Sequence, residues 1–143
     1  MSEPSIIVDT GPLVAALVKH DEFHEWASQI IATLPAPLIT SEPVIAEACF
    51  LLHRRKLPLD SLIQLFERES LIIAFDLQSE VASLKSLLSK YRDLPMSLAD
   101  ATLVRLAELH DNAAVFTLDS DFRIYRKHGR RQIPLIIPEK KQR

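Results

Sequence analysis

Residues 5–18 read SIIVDTGPLVAALV, and the change of rhythm inside that stretch sets the fold class. Ser5 to Val8 is a short apolar, β-branched run of the kind that sits in a buried strand. It ends in Asp9. Thr10 and Gly11 read as a turn, and Pro12 suits the first turn of a helix running through LVAALV. The same alternation continues along the chain. Asp21 leads into a helix carrying Phe23, Trp26, Ala27, Ile30 and Ile31 at helical spacing. PLIT is a second strand, and Ser41 is placed to cap a helix from Glu42 to Arg54. Leu59 to Glu69 is a further helix, and LIIAF (71–75) a third strand. Asp76 reads as the N-cap of a helix that turns Val81, Leu84, Leu87 and Leu88 inward. Ser97 opens a helix to about His110, and AVFTL (114–118) is a strand ending in Asp119. A short helix to about His128 and a last strand, IPLII (133–137), complete the pattern. Short apolar strands alternating with helices predict an α/β fold: a mostly parallel central sheet with helices on both faces. Ligands bind such sheets beyond the carboxyl ends of the strands.

That rule directs attention to acids. IIV ends in Asp9 and VFTL ends in Asp119, with Asp121 just after. On the helix 42–54, Glu47 shares a face with Val44 and Leu51, and on the helix from Ser97, Asp100 shares one with Leu103, Val104 and Ala107. A carboxylate among apolar neighbours is costly unless paired or bound to a cation. Each acid also has a purely structural reading. Ser97–Asp100 has the spacing of a capping box, Glu47 has Arg54 as a possible ion partner, and Asp119 and Asp121 suit a helix start. Four together, at strand ends or on inward faces, point to a site. Oxygen-only ligands favour Mg²⁺ or Mn²⁺ over zinc, and such ions serve phosphodiester hydrolysis, singly or in pairs.

The chain has 143 residues, enough for one domain, 1–143. Its net charge of −2 conceals an asymmetry. From residue 123 onward eight lysines and arginines face one acid, a net +7, whereas the preceding part carries 9 bases and 18 acids, a net −9. The basic segment 123–143 is either an electrostatic footprint for a phosphate backbone or a solubilising tail. No apolar run is long enough to span a bilayer, and no secretory leader pattern opens the chain. The one cysteine, Cys49, lies in the apolar run VIAEACFLL and reads as a buried core thiol. A cytoplasmic setting is expected.

Weaker motifs are set aside. His20-Asp-Glu-Phe-His24 has two histidines at zinc-helix spacing, but Asp21 stands where the glutamate belongs and no third ligand is evident. His53, His110 and His128 fall at helix surfaces or ends. With only Gly11 and Gly129 as glycines there is no Gly-rich phosphate loop.

The segments IIVDTGPLVAAL, SEPVIAEACFLL, LPMSLADATLVRLAE and VFTLDSDFRIYR, in this order, resemble the PIN domains of VapC-type toxins. The most specific pieces are VDTGPL and TLDSDF. The resemblance implies a PIN-like three-layer sandwich and a catalytic, metal-binding quartet of Asp9, Glu47, Asp100 and Asp119. It matches Asp121 to an assisting acid and Thr117 to a hydroxyl beside the site, with Thr10 as a further accessory position. It also implies Mg²⁺ or Mn²⁺ dependence, endonucleolytic RNA cleavage, a homodimer and an antitoxin partner. Arg123, Arg126, Lys127, Arg130 and Arg131 are candidate RNA contacts. The antitoxin is expected to insert a basic side chain among the acids, with an apolar groove around Phe50 and Leu57 for the rest of its segment. Two alternatives stay open. A receiver-type phospho-acceptor domain needs a lysine ending a later strand, and IPLII is followed instead by Pro138 and Glu139. A catalytically silent RNA-binding PIN domain would keep the fold without the reaction.

Overall fold

The structure, a computed structural model, describes residues 4–139. Lys140, Lys141 and Arg143 of the basic segment lie outside the described residues. Five strands form one parallel sheet in the order β3-β2-β1-β4-β7: β1 (Ser5–Val8), β2 (Leu38–Thr40), β3 (Leu71–Ile73), β4 (Ala113–Phe116) and β7 (Leu135–Ile136). β1 is central, and its register with β4 runs from Ser5 opposite Ala113 to Val8 opposite Phe116. The two-residue strands β5 (Arg126–Lys127) and β6 (Arg131–Gln132) make a separate antiparallel hairpin.

Strand alternation divides the core. Ile7, Ile39 and Val115 face a cluster built with Leu84, Leu103, Leu106 and Tyr125, whereas Ile6, Val8 and Phe116 face one built with Leu13, Ala27, Leu52 and Leu62. The first layer comes from α5 (Val81–Lys90) and α6 (Leu98–Leu109). The second comes from α1 (Thr10–Leu17), α2 (His24–Ile31) and α4 (Asp60–Glu67). α3 (Glu42–Arg54) packs against both α1 and α6 and contributes Val44 to one cluster and Ala48 and Leu52 to the other. Helices thus cover both faces of the sheet, as its unbroken apolar strands require.

Several local expectations change. Thr10 and Gly11 are the first residues of α1 rather than a turn before it, and Asp9 is its N-cap. Ser41 stands at the N-cap of α3, but its hydroxyl bonds the Thr102 hydroxyl at 2.7 Å and caps no backbone N–H. Asp76 caps nothing: a 3-10 turn, Gln78–Glu80, intervenes before α5, and Val81 at its start is 46% exposed. β3 stops at Ile73 and β4 at Phe116, each two residues short of the apolar run that contains it. Cys49 is only half-buried. His24 sits on α2, its Nδ1 bonded to the Ala15 carbonyl at 2.8 Å, while His20 precedes the helix and is exposed.

The largest change follows Asp119. A one-turn 3-10 helix, Ser120–Arg123, replaces the helix expected to reach His128. The chain then reverses through the β5–β6 turn, where His128 and Gly129 have φ of 53° and 77°. Two consecutive left-handed residues match a type I′ hairpin turn. The Arg130 N–H closes it on the Lys127 carbonyl at 3.3 Å.

Candidate active site

A cleft of about 390 Å³ opens at the carboxyl edge of the sheet, over β1 and β4. It is lined by Asp9, Thr10, Gly11, Glu47, Leu51, Asp100, Leu118, Asp119, Ser120 and Asp121. Five carboxylates line it, and among the described residues no lysine or arginine does. All four acids of the expected quartet meet there, together with Asp121 and Thr10. They come from four segments: the end of β1, the middle of α3, the first turn of α6, and the turn after β4.

The sequence makes each placement. Asp9 leaves β1 in an extended conformation and caps α1, its Oδ1 accepting the Thr10 N–H at 2.8 Å. Its Oδ2 accepts the Thr117 hydroxyl at 2.7 Å, and the Thr117 oxygen in turn accepts the Asp119 N–H at 2.9 Å. Thr117 is fully buried between the two acids and does not line the cleft. Asp119 Oδ1 accepts the Asp121 N–H at 2.9 Å, which holds the 3-10 turn against the strand end. The hydroxyl of Thr10 points away, to the Val44 carbonyl at 3.3 Å, and ties α1 to α3.

Asp100 satisfies both of its readings. Ser97 and Asp100 form a reciprocal capping box at the start of α6, and the same carboxylate lines the cleft at 9% exposure. Its Oδ2 also accepts the hydroxyl of Tyr125 at 3.1 Å. Tyr125 is a residue that sequence reasoning missed. It follows the acidic motif at no distinctive spacing, and only the fold brings it beneath α6. Glu47 departs from its expected setting. It lines the cleft but is exposed on α3 rather than turned inward, and it forms no ion pair with Arg54. Among the described residues no hydrogen bond restrains it.

The electrostatics follow from burial and crowding. Asp9, 7% exposed, is pushed up to about 7, first by loss of solvent and then by the charges of Asp100 and Asp119, against the two hydrogen bonds it accepts. Asp100 is raised by burial and by the Glu47 charge, and Asp119 by burial and by the Asp121 and Asp100 charges. Burial, then the adjoining Asp100 carboxylate, raises the Tyr125 phenol, so it remains a proton donor to that acid. A cleft of carboxylates that resist ionising together, all oxygen donors with no basic residue among the described ones, fits a divalent cation of the Mg²⁺ or Mn²⁺ class. Among the described residues, no three acidic, histidine or cysteine side chains already close around one point as a finished metal shell.

The basic residues divide. Arg123, Arg130 and Arg131 are exposed. Lys127 is not available to RNA: it is 4% exposed, its ammonium 3.4 Å from the Asp111 carbonyl. Arg126 is half-buried and folds its guanidinium back on the carbonyls of Arg123, Ile124 and Tyr125 at 2.7–3.2 Å. A second cationic group, exposed and also missed, is Arg54, Arg55 and Lys56 at the end of α3. Arg54 lies over the ring of the exposed Phe50.

Comparison with known proteins follows the same lines. The family model described as PIN domain matches residues 6–127. Among solved structures the chain is similar to the crystal structure of Mycobacterium tuberculosis VapC20, described as a Sarcin-Ricin loop cleaving toxin. The TM-score is 0.74 at 22% identity, over 89% of this chain and 99% of that one, a likeness of fold. No curated protein matches the chain.

Proposed function

The chain belongs to the PIN-domain family, and from that premise we propose that it is a metal-dependent endoribonuclease, the toxin of a toxin–antitoxin pair. One observation carries the reading: Asp9, Glu47, Asp100 and Asp119 line a single cleft to which, among the described residues, no basic side chain contributes. These four would hold one or two Mg²⁺ or Mn²⁺ ions, with Asp121 assisting from the rim. A divalent cation bound there would supply an activated water and offset the charge that develops on the scissile phosphate. The chain's own residues set the stage. Thr117 fixes Asp9 relative to the backbone of Asp119, and the Asp121 N–H fixes the Asp119 carboxylate. Asp100 is held from below by Ser97 and Tyr125. Such pinning orients each carboxylate before substrate arrives, which is what preorganised catalysis requires.

A receiver-type phospho-acceptor would need a lysine at the acidic cleft, and among the described residues none lines this one. A silent RNA-binding domain differs from the proposed enzyme in one readout. Purified protein should cut RNA internally when Mg²⁺ or Mn²⁺ is present and stop in chelator. Tight RNA binding with no chelator-sensitive cleavage would leave only the silent reading.

RNA must reach a strongly acidic cleft, so cations beside it have to hold the backbone. We assign this to Arg123, Arg130 and Arg131, the exposed members of the basic segment. Changing all three to alanine should weaken RNA binding and lower the salt dependence by about 0.7 in log–log slope for each phosphate that is no longer neutralised. An unchanged slope would reduce these residues to surface charges. The antitoxin belongs to the same proposal. An arginine from it would take a cleft carboxylate in a two-pronged hydrogen bond, with the exposed Phe50 and Leu57 (59% and 38%) receiving apolar residues beside it. A complex whose antitoxin left the cleft open to RNA would rule out that mode. A homodimer in the cytoplasm completes the proposal, and a monomeric mass in solution would remove the dimer. Among the described residues no helix is long and apolar enough to cross a membrane.

A further inference from the structure

Of the five acids that line the cleft, the four of the quartet are not held alike. Asp9 accepts one hydrogen bond on each oxygen, from the Thr10 N–H and the Thr117 hydroxyl. Asp119 accepts one on Oδ1. Glu47 accepts none. Asp100 is distinctive in that both of its bonds fall on one oxygen: Oδ2 takes the Ser97 N–H at 3.3 Å and the Tyr125 hydroxyl at 3.1 Å. Among the described residues nothing donates to Oδ1, which is left for the cleft.

The Tyr125 side chain is built for one position. It is fully buried, its ring 5.1 Å from that of Tyr91 and 5.2 Å from that of Phe122, both edge-on. Its backbone N–H bonds the Asp121 carbonyl at 3.2 Å, so Tyr125 is anchored to the very turn that carries Asp119 and Asp121. The hydroxyl, at the far end of the same side chain, reaches Asp100 on α6. A rigid ring packed against two others therefore spans two segments that share no strand or helix. A buried phenol needs a partner, yet many backbone carbonyls would satisfy it. This one is spent on an acid of the cleft.

We infer that Tyr125 is a positioning residue for the metal site: it braces the Asp100 carboxylate against the Asp119–Asp121 turn and presents Oδ1 to a divalent cation. The inference rests on the metal-site reading of the cleft. Groups that orient metal ligands from behind typically change metal affinity or activity by about 10- to 100-fold when removed.

The test compares Tyr125→Phe, which deletes one oxygen and keeps the ring, with Tyr91→Phe. The Tyr91 hydroxyl accepts the Arg126 N–H at 2.9 Å, its ring packs in the same aromatic cluster, and among the described residues it makes no hydrogen bond to Asp100. Mn²⁺ binding is measured by calorimetry on RNA-free protein, and cleavage by kcat and KM. Tyr125→Phe should weaken Mn²⁺ binding by about tenfold or more and lower kcat with KM for RNA little changed, while Tyr91→Phe stays within about twofold of the parent. Equal losses in both variants, or Mn²⁺ affinity unchanged in Tyr125→Phe, would overturn the positioning role and leave the nuclease reading intact. A parent protein that binds no Mn²⁺ would overturn the metal site itself, and this inference with it. Should Tyr125→Phe not fold, the parent protein still decides. The protected Tyr125 hydroxyl proton should shift in its NMR spectrum as Mg²⁺ is added, and an unmoved resonance counts against the brace.

Discussion

Asp9→Asn and Asp119→Asn are each expected to lower RNA cleavage by about a thousandfold or more while the protein stays folded. Removing one carboxylate from the cation forfeits several kcal/mol of stabilisation where charge develops on the phosphate, and each 1.36 kcal/mol is about a factor of ten in rate. The fold has reason to survive. An asparagine at position 9 still offers an oxygen to the Thr10 N–H. Its amide can donate to the Thr117 oxygen, reversing a hydrogen bond that now runs the other way. At position 119 the amide oxygen can still accept the Asp121 N–H. The measurement is cleavage by preparations freed of contaminating ribonuclease, with circular dichroism as the folding control. Parent-like activity in either variant would remove these acids from the reaction.

The second large effect concerns stability without metal. Asp9 titrates near 7 in the folded protein against 3.8 for the ordinary group, so the folded state holds this proton more tightly than the unfolded chain does. Stability from that source is complete below about pH 4, falls as pH rises through the interval, and is gone above about 7. Asp100 and Asp119 are displaced in the same direction and add to the same slope. For Asp9 alone the difference is on the order of 4 kcal/mol. In chelator the protein should therefore melt several degrees lower at pH 8 than at pH 5. Saturating Mg²⁺ at pH 8 should recover much of the loss, about 2.7 kcal/mol at a hundred times its dissociation constant. Asp9→Asn should melt higher than the parent at pH 8 in chelator and show a shallower pH dependence. Melting points that ignore both pH and Mg²⁺ would mean that neither burial nor crowding raises these carboxylates.

The alternation of apolar runs was enough to read the parallel sheet, its two helical layers and the strand ends that carry Asp9 and Asp119. These features depend on local pattern, and α3 has the bounds its sequence suggests. The gathering of Glu47 and Asp100 beside them was legible through the family resemblance more than through helical faces. The face argument placed Glu47 indoors, whereas α3 spans the edge of the sheet and leaves it exposed. The failures share a cause. Tyr125, Lys127 and Arg126 lie where a 3-10 turn passes into a hairpin, and nothing periodic marks where their side chains go. The His128–Gly129 pair was the available cue for that reversal, a weaker one than Asn-Gly. Net charge counted Lys127 among free cations because composition cannot see a carbonyl at Asp111.

The pairing of β1 with β4 also sets a clock. The hydrogen bond between Asp9 and Thr117 joins positions 108 apart in the chain, and the two central strands meet only after everything between them has been made. A polypeptide still in synthesis, emerging at about 5–20 residues per second, already holds Asp9, Glu47 and Asp100 but lacks β4 and the Asp119 turn that completes the cleft. On the proposed nuclease reading, cutting power does not accumulate; it arrives late, in one event, when β4 docks. An inhibitor that must meet the enzyme before it acts has that whole interval in which to be ready. By the same logic, a premature stop ahead of residue 113 disarms the molecule without altering any of those three acids.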